Sequence, residues 1–274
     1  LENNDIIIVP VGTVEMHGGL PLDCETVISE AVALKMAEAC DGLVLSGLPY
    51  FYAGATASGR GTTQVSIRQG IDYLGAIARS LLRQGFRRQI YISLHGPAHM
   101  TCSPMVRDFF DETGVPILYM DMTMQMFGAA RDLFSEDMQK NPLGFMEKLD
   151  GMFLGAYDIL GRLEDVPLTT EFFSMQPQTV APFNRIFNLA YQSGSVGYCF
   201  GDPGDHASTT PVPTAERRQE LAQEGRRLID ELVKRIDVPA VVESLAQLRA
   251  FEEDVMERFP WMPAACHRKD SENK

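Results

Sequence analysis

Residues 6–9 form a β-branched run, Ile6-Ile7-Ile8-Val9, held between Asn3-Asn4-Asp5 and Pro10-Val11-Gly12. A short continuous apolar run bounded by turn formers predicts a strand buried on both faces of a parallel sheet. The period then changes. Over 26–39, Val27, Ile28, Ala31, Leu34 and Met36 recur at helical spacing, and 42–45 reads as a second strand. Ile71, Leu74, Ile77, Ala78, Leu81 and Leu82 line one face of a second helix that Gly85 stops, and 89–94 follows as another buried strand delivering His95 at its end. Residues 105–113 predict a third helix and 115–119 a further strand. Repeated strand, helix and strand of this kind predict an α/β fold with a mainly parallel central sheet between layers of helices.

Beyond residue 121 the pattern loses its regularity. The stretch 121–195 is rich in Met, Phe and Gly and predicts shorter helices and loops over the sheet edge. Residues 214–236 restore a clear amphipathic helix, with Leu221, Leu228, Leu232, Val233 and Ile236 on one face. A further helix follows Pro239, and the polar end 268–274 reads as a loose tail. The expected organisation is one α/β domain over 1–240 with a C-terminal helical extension and tail over 241–274.

Composition narrows the partners more than the fold. At 274 residues and 45% hydrophobic content the chain can bury one large core, and its formal charge of −13 argues against nucleic acid or an anionic membrane surface. The expected partner is a small molecule. The five cysteines, at 24, 40, 102, 199 and 266, are scattered and form no CxxC pair, which fits free thiols in a reducing cytoplasm. No apolar run approaches the roughly 20 residues of a membrane span.

The chemistry gathers behind the first strand. Glu15 and His17, two residues apart, point the same way if the segment is extended, and Asp23 and Glu25 follow closely. Parallel sheets carry their sites at the C-terminal edge, where His95 also arrives from a later strand. Carboxylates with imidazoles suit Zn²⁺ or Mn²⁺. Cys24, between Asp23 and Glu25, is a poor thiolate nucleophile because both charges raise its pKa. The chain has no GxGxxG, no P-loop ending and no GxSxG elbow.

The segment Val11-Gly12-Thr13-Val14-Glu15-Met16-His17-Gly18, followed by Leu20-Pro21-Leu22, resembles the PxGSxEQHGxHLPLxTD signature of the creatininase (creatinine amidohydrolase) family. Gly61-Thr62-Thr63-Gln64-Val65-Ser66 is similar to its FPGTxS segment, and 82–98 to its RxGFRRIxxxNGHGGN stretch. Gly201-Asp202-Pro203 resembles its GDPxxAT segment. The resemblance is collinear over roughly residues 6 to 235. It implies a three-layer α/β sandwich, a centre of one or two divalent ions, hydrolysis of the C–N bond of a small, often cyclic amide by a metal-activated water, and a closed homo-oligomer such as a hexamer.

Carried over residue by residue, the resemblance makes Glu15, His17 and His95 metal ligands and places Glu25 at the family's bridging aspartate, with Asp23 as the rival. Several positions depart from the pattern. One residue is missing between Gly19 and Leu20, and NGHGGN has become Ser93-Leu94-His95-Gly96-Pro97-Ala98. The segment nearest to the family's HAGxxETS, Phe153 to Asp158, lacks the catalytic His and offers only Asp158 as a metal-binding carboxylate. His206, after the Gly-Asp-Pro turn, is the candidate acid for the leaving nitrogen, and His99 a candidate ligand or supporting donor. The departures also leave open a lapsed member that binds a ligand or partner without turnover, and a lyase or isomerase on the same centre.

Overall fold

The computed structural model describes residues 4–171, 184–187, 189, 196–200, 206 and 210–264. Its centre is a four-stranded, fully parallel sheet of β1 (Ile6–Pro10), β2 (Leu43–Val44), β3 (Arg88–Ser93) and β4 (Leu118–Asp121), in the order β2-β1-β3-β4. Ile8 pairs with Val44 on one side and Ile90 on the other, and Ile90 in turn pairs with Leu118.

Side-chain alternation along the strands divides the core into two layers. Ile6 and Ile8 of β1 with Ile90 and Ile92 of β3 face α1 (Cys24–Cys40), α6 (Pro142–Ile159), α8 (Ala215–Ile236) and α9 (Val238–Arg258). Ile7, Val9 and Tyr91 face α2 (Ile67–Arg83) and α3 (His99–Thr113). The molecule is thus a three-layer α/β sandwich. Between β4 and α6 lie α4 (Met122–Phe127) and α5 (Arg131–Lys140), and α7 (Asn184–Phe187) is a single turn.

Local chemistry explains most boundaries. Ser66 caps α2 in a reciprocal capping box with Gln69, Thr214 caps α8, and Asn141 caps α6 ahead of Pro142 at its first turn. Several elements differ from the sequence pattern; α3, for one, begins at His99, six residues before the predicted start at 105. Pairing along β4 begins at Leu118, three residues later than the apolar run 115–119, because Pro116 has no N–H for the ladder; Val115 and Ile117 still bury against α3. The stretch read as short helices and loops contains α6, an 18-residue helix. Flanked by α1 and α8, α6 is covered on more than one side and has no continuous polar stripe to betray its period.

The contact between α6 and α8 is made by backbone. A Cβ on Gly225 of α8 would lie 1.7 Å from the Gly151 carbonyl oxygen, and one on Gly155 would lie 2.4 Å from the Arg226 nitrogen. Glycine at these positions lets α6 sit deep against α8, which fixes the α6 face turned toward the sheet edge.

Candidate metal centre

The C-terminal edge of the sheet carries the cluster. After β1 the chain passes through Gly12, where a Cβ would fall 2.4 Å from the Thr26 Cα, so the loop lies directly on the start of α1. The Glu15 N–H donates to the Leu22 carbonyl (3.0 Å) and the Met16 N–H to the Thr62 hydroxyl (3.1 Å), which hold this segment extended. Glu25 enters from the first turn of α1 and His95 from the end of β3.

Glu15 is the hub. Its Oε1 lies 3.5 Å from His17 Nδ1, 3.5 Å from His95 Nδ1 and 3.4 Å from His206 Nε2, while its Oε2 accepts the Thr56 hydroxyl at 2.8 Å. His17 Nε2 stands 3.3 Å from Glu25 Oε1. His95 Nε2 lies 3.0 Å from the Tyr52 carbonyl; in the neutral ring, donating a proton there leaves Nδ1 as a lone pair aimed at Glu15. That is how a metal-binding imidazole is usually held.

One donor atom from each of Glu15, His17, Glu25 and His206 can be chosen so that all four lie within 4.8 Å of one another. Glu15 Oε1, His17 Nδ1, Glu25 Oε2 and His206 Nε2 are also buried without any hydrogen-bond partner. Four orphaned polar atoms at one spot call for an explanation, since buried polar groups are nearly always paired. For bonds of about 2.1 Å, adjacent donors in a tetrahedral shell stand about 3.4 Å apart, and the spacings around Glu15 Oε1 match. The donor set fits a divalent ion.

The electrostatics separate donors that are already deprotonated from donors that an ion must deprotonate. Burial drives His17 down to about 3, reinforced by His206, so its imidazole is neutral near pH 7 and needs to lose no proton to ligate. Burial opposes ionisation of Glu15, but His95, His206 and His17 together hold it well below the usual carboxylate range. Burial also works against His95, yet the neighbouring Glu15 raises it to about 9, so near pH 7 its ring carries a second proton that a bound ion must displace. Glu25 is pushed up to about 7, chiefly by burial. Burial, then Glu25, Glu15 and Asp23, holds the Cys24 thiol well above its ordinary range, as expected of a poor nucleophile.

Glu25, and not Asp23, enters the cluster. Asp23 instead accepts from the Tyr157 hydroxyl (2.5 Å) and pairs with Arg162 (2.9 Å). Asp158 is not brought to the cluster: at the end of α6 it pairs with Arg226 of α8 at 2.7 Å, on the side where the two helices touch, so its assignment as a metal ligand is corrected. Phe153, five residues earlier, does reach the centre, its ring edge-on to His17 at 5.3 Å. His99 also stays out, its Nδ1 turned to the Gly96 carbonyl at 2.8 Å. His206, read as an acid standing beside the centre, has its Nε2 inside it, with its ring 4.4 Å from that of His17 and stacked on Phe200 at 5.9 Å. The Gly201-Asp202-Pro203 turn lies outside the described residues, as do Cys266 and the tail from 268. Thr56 and the Tyr52 carbonyl carry no pattern that sequence reasoning could have used.

Two cavities reach the cluster. One, of about 220 Å³, runs between Ala53, Thr56, Pro97, Tyr198 and Phe200 to Glu15, Glu25, His95 and His206. The other, of about 330 Å³, opens between α4 and α6 and ends on His17, Glu25 and His206.

The family model for creatininase, described as creatinine amidohydrolase, matches residues 1–142, just over half of the chain. The chain belongs to the creatininase family. A 3-dehydro-scyllo-inosose hydrolase from Thermotoga maritima is 34% identical over 102 residues, which cover 35% of this chain and 32% of that protein. The match therefore spans about a third of that relative's length. Among solved structures, a Bacteroides fragilis protein assigned as a creatinine amidohydrolase superposes with a TM-score of 0.60 at 19% identity, over 90% of this chain and 92% of that one. A creatininase gives 0.57 at 19% identity over 90% and 91% of the two chains. These structures share the fold. No described helix is long and apolar enough to cross a membrane.

Proposed function

We propose that this member of the creatininase family is a metal-dependent amidohydrolase that cleaves the C–N bond of a small amide. The observation that carries the reading is that Glu15, His17, Glu25 and His206 each bring a donor atom within 4.8 Å of the others at the sheet edge, and each has a buried donor atom without a hydrogen-bond partner. These residues would hold a divalent ion, with His95 as a further donor steadied by the Tyr52 carbonyl. A bound Zn²⁺ or Mn²⁺ supplies Lewis acidity toward a carbonyl oxygen and acidifies water near neutral pH. Related solved structures are a manganese form of creatininase and a mutant of the Zn-Zn type, which supports one of these metals, in one or two copies per chain.

The protein's own part is to fix and shield. Thr56 holds Glu15 Oε2 by a hydrogen bond, leaving Oε1 turned to the three imidazoles. The apolar wall of the larger cavity lowers the polarity on one side of the centre, which strengthens charge interactions there. With His206 Nε2 facing Glu15, its role becomes that of a donor to the ion rather than of an acid toward the leaving nitrogen. The same reading includes a homo-oligomer, supported by exposed Leu248, Phe251, Phe259 and Trp261, and a reducing cytoplasmic setting, supported by the free Cys24, Cys40, Cys102 and Cys199. Light scattering on the purified chain tests the assembly.

The deciding experiment is metal content per chain by elemental mass spectrometry, followed by an amide screen in ¹⁸O-labelled water. One or two Zn or Mn per chain, with ¹⁸O entering the acid product, is the expected result. No stoichiometric ion after metal is added back would overturn the reading in favour of a non-catalytic binding protein. Turnover without ¹⁸O incorporation would replace hydrolysis by a lyase or isomerase reaction.

A further inference from the structure

Natural interiors contain few voids larger than a water molecule. The cavity of about 330 Å³ that ends on His17, Glu25 and His206 is far larger and opens between α4 and α6, and its wall is mostly apolar: Met126 and Phe127 from α4, and Phe145, Met146, Leu149 and Phe153 from α6 supply most of it. Away from the cluster, the polar side chains in that wall are engaged with the protein. The Thr123 hydroxyl donates to the Leu94 carbonyl (3.0 Å), and an Asp150 carboxylate oxygen accepts the Thr210 N–H (3.0 Å). A hydroxylated or highly polar substrate placed here would surrender its bonds to water and find few in return.

We infer that the substrate carries a bulky apolar group, a branched aliphatic or six-membered hydrocarbon ring, which fills the α4–α6 cavity while its amide meets the cluster of Glu15, His17, Glu25 and His206. The inference deepens the amidohydrolase reading and rests on it for the placement of the amide. An apolar cavity of about 150 Å³ accommodates benzene, so this one has room for a ring and a short arm. Phe153 links the two halves of the site. Its ring touches His17 edge-on at 5.3 Å while forming part of the cavity wall, so a bound ring would lie within reach of the reacting end. The side chains at one end of the cavity set the chemistry and those at the other end set the specificity.

The test measures binding separately from turnover. Acetamide, isobutyramide, cyclohexanecarboxamide and phenylacetamide, with gluconamide as a polyhydroxylated control, are titrated by ligand-observed NMR against the metal-loaded protein. Ammonia release is followed in parallel. Affinity should rise about fourfold per buried methylene, which puts the ring-bearing amides more than tenfold ahead of acetamide and gluconamide. Leu149→Trp and, separately, Met146→Trp should abolish that preference while metal content and the circular dichroism spectrum stay unchanged. Both positions are half-buried, so either variant can serve if the other fails to fold.

Equal or tighter binding of acetamide or gluconamide, a ranking untouched by both cavity-filling variants, or no binding of any amide would overturn the inference. Preferential binding of the ring amides without ammonia release would uphold the apolar cavity and overturn the hydrolase reading. Ammonia release with no preference for the ring amides would do the reverse.

Discussion

At the scale of single residues, His17 is the most diagnostic position. Its imidazole is buried and neutral, lies between Glu15 and Glu25, and has an Nδ1 that makes no hydrogen bond within the protein. Loss of a supporting residue around a metal ligand costs 10- to 100-fold in affinity, so His17→Ala, which removes a donor itself, should weaken metal binding at least about 100-fold. Equilibrium dialysis checks this, and an unchanged affinity would remove His17 from the donor set. Glu25 and Asp23 give a sharper contrast because they are neighbours in sequence and diverge in space. Glu25→Gln should lower metal content markedly. Asp23→Asn should leave it intact and cost about 1 kcal/mol of stability, mostly through the hydroxyl of the buried Tyr157, since the Arg162 pair is exposed and screened. Elemental analysis of the two variants beside denaturant titrations separates these outcomes, and the reverse ranking would hand the donor role to Asp23. Glu15, His17 and His95 were legible in the sequence because each follows a strand at the edge where parallel sheets keep their sites. His206 showed itself only as a histidine after a turn, since nothing local to it reveals that the fold brings its ring against His17.

At the scale of elements, function depends on where α6 lies. This helix carries five of the apolar residues around the larger cavity, and its depth is set by the glycine contact with α8. Gly225→Ala would drive a methyl into the Gly151 carbonyl, a backbone atom that cannot swing aside as a flexible side chain could. The helices must separate, at a cost of about 3 kcal/mol, seen as a lower denaturation midpoint in urea. A change below about 1 kcal/mol would show that the α6–α8 contact relaxes easily and is not what fixes the cavity. The importance of these glycines explains why this region was the least legible in sequence. The strands β1 and β3 announce themselves as unbroken apolar runs, and α8 by a clean apolar stripe, because each meets its surroundings in a simple way. Helix α6 touches α1, α5 and α8, so its apolar and small residues spread around the axis and the period is lost. Asp158 was misplaced for the same reason. The likeness of 153–158 to the family's HAGxxETS segment suggested a ligand, whereas five residues of helical rotation carry Asp158 away from Phe153 to the α8 side, where Arg226 waits.

At the scale of the whole molecule, the cluster is an energetic liability that a cation would turn into a support. Two carboxylates and three imidazoles from β1, α1, β3 and the segment around His206 are forced together under burial, with four donor atoms unsatisfied. Each such atom costs about 1–3 kcal/mol relative to a satisfied one, so the folded state without an ion carries a local strain that the unfolded chain, with the same groups in water, does not. An ion that binds only the folded form recovers that loss and adds stability according to its concentration over Kd: about 4 kcal/mol at a thousandfold excess. For a domain of this size that corresponds to roughly 10 °C in Tm. Thermal melts of the protein before and after chelation, and again after Zn²⁺ or Mn²⁺ is restored, should show this fall and recovery. In His17→Ala the same melts should become far less sensitive to the metal, because the variant lacks one of the two donors through which the ion ties the β1 loop to α1. A wild-type melt that ignores chelation and metal return alike would mean that the four donors are satisfied in solution by something other than a cation, and the case for a metal centre would fall with it.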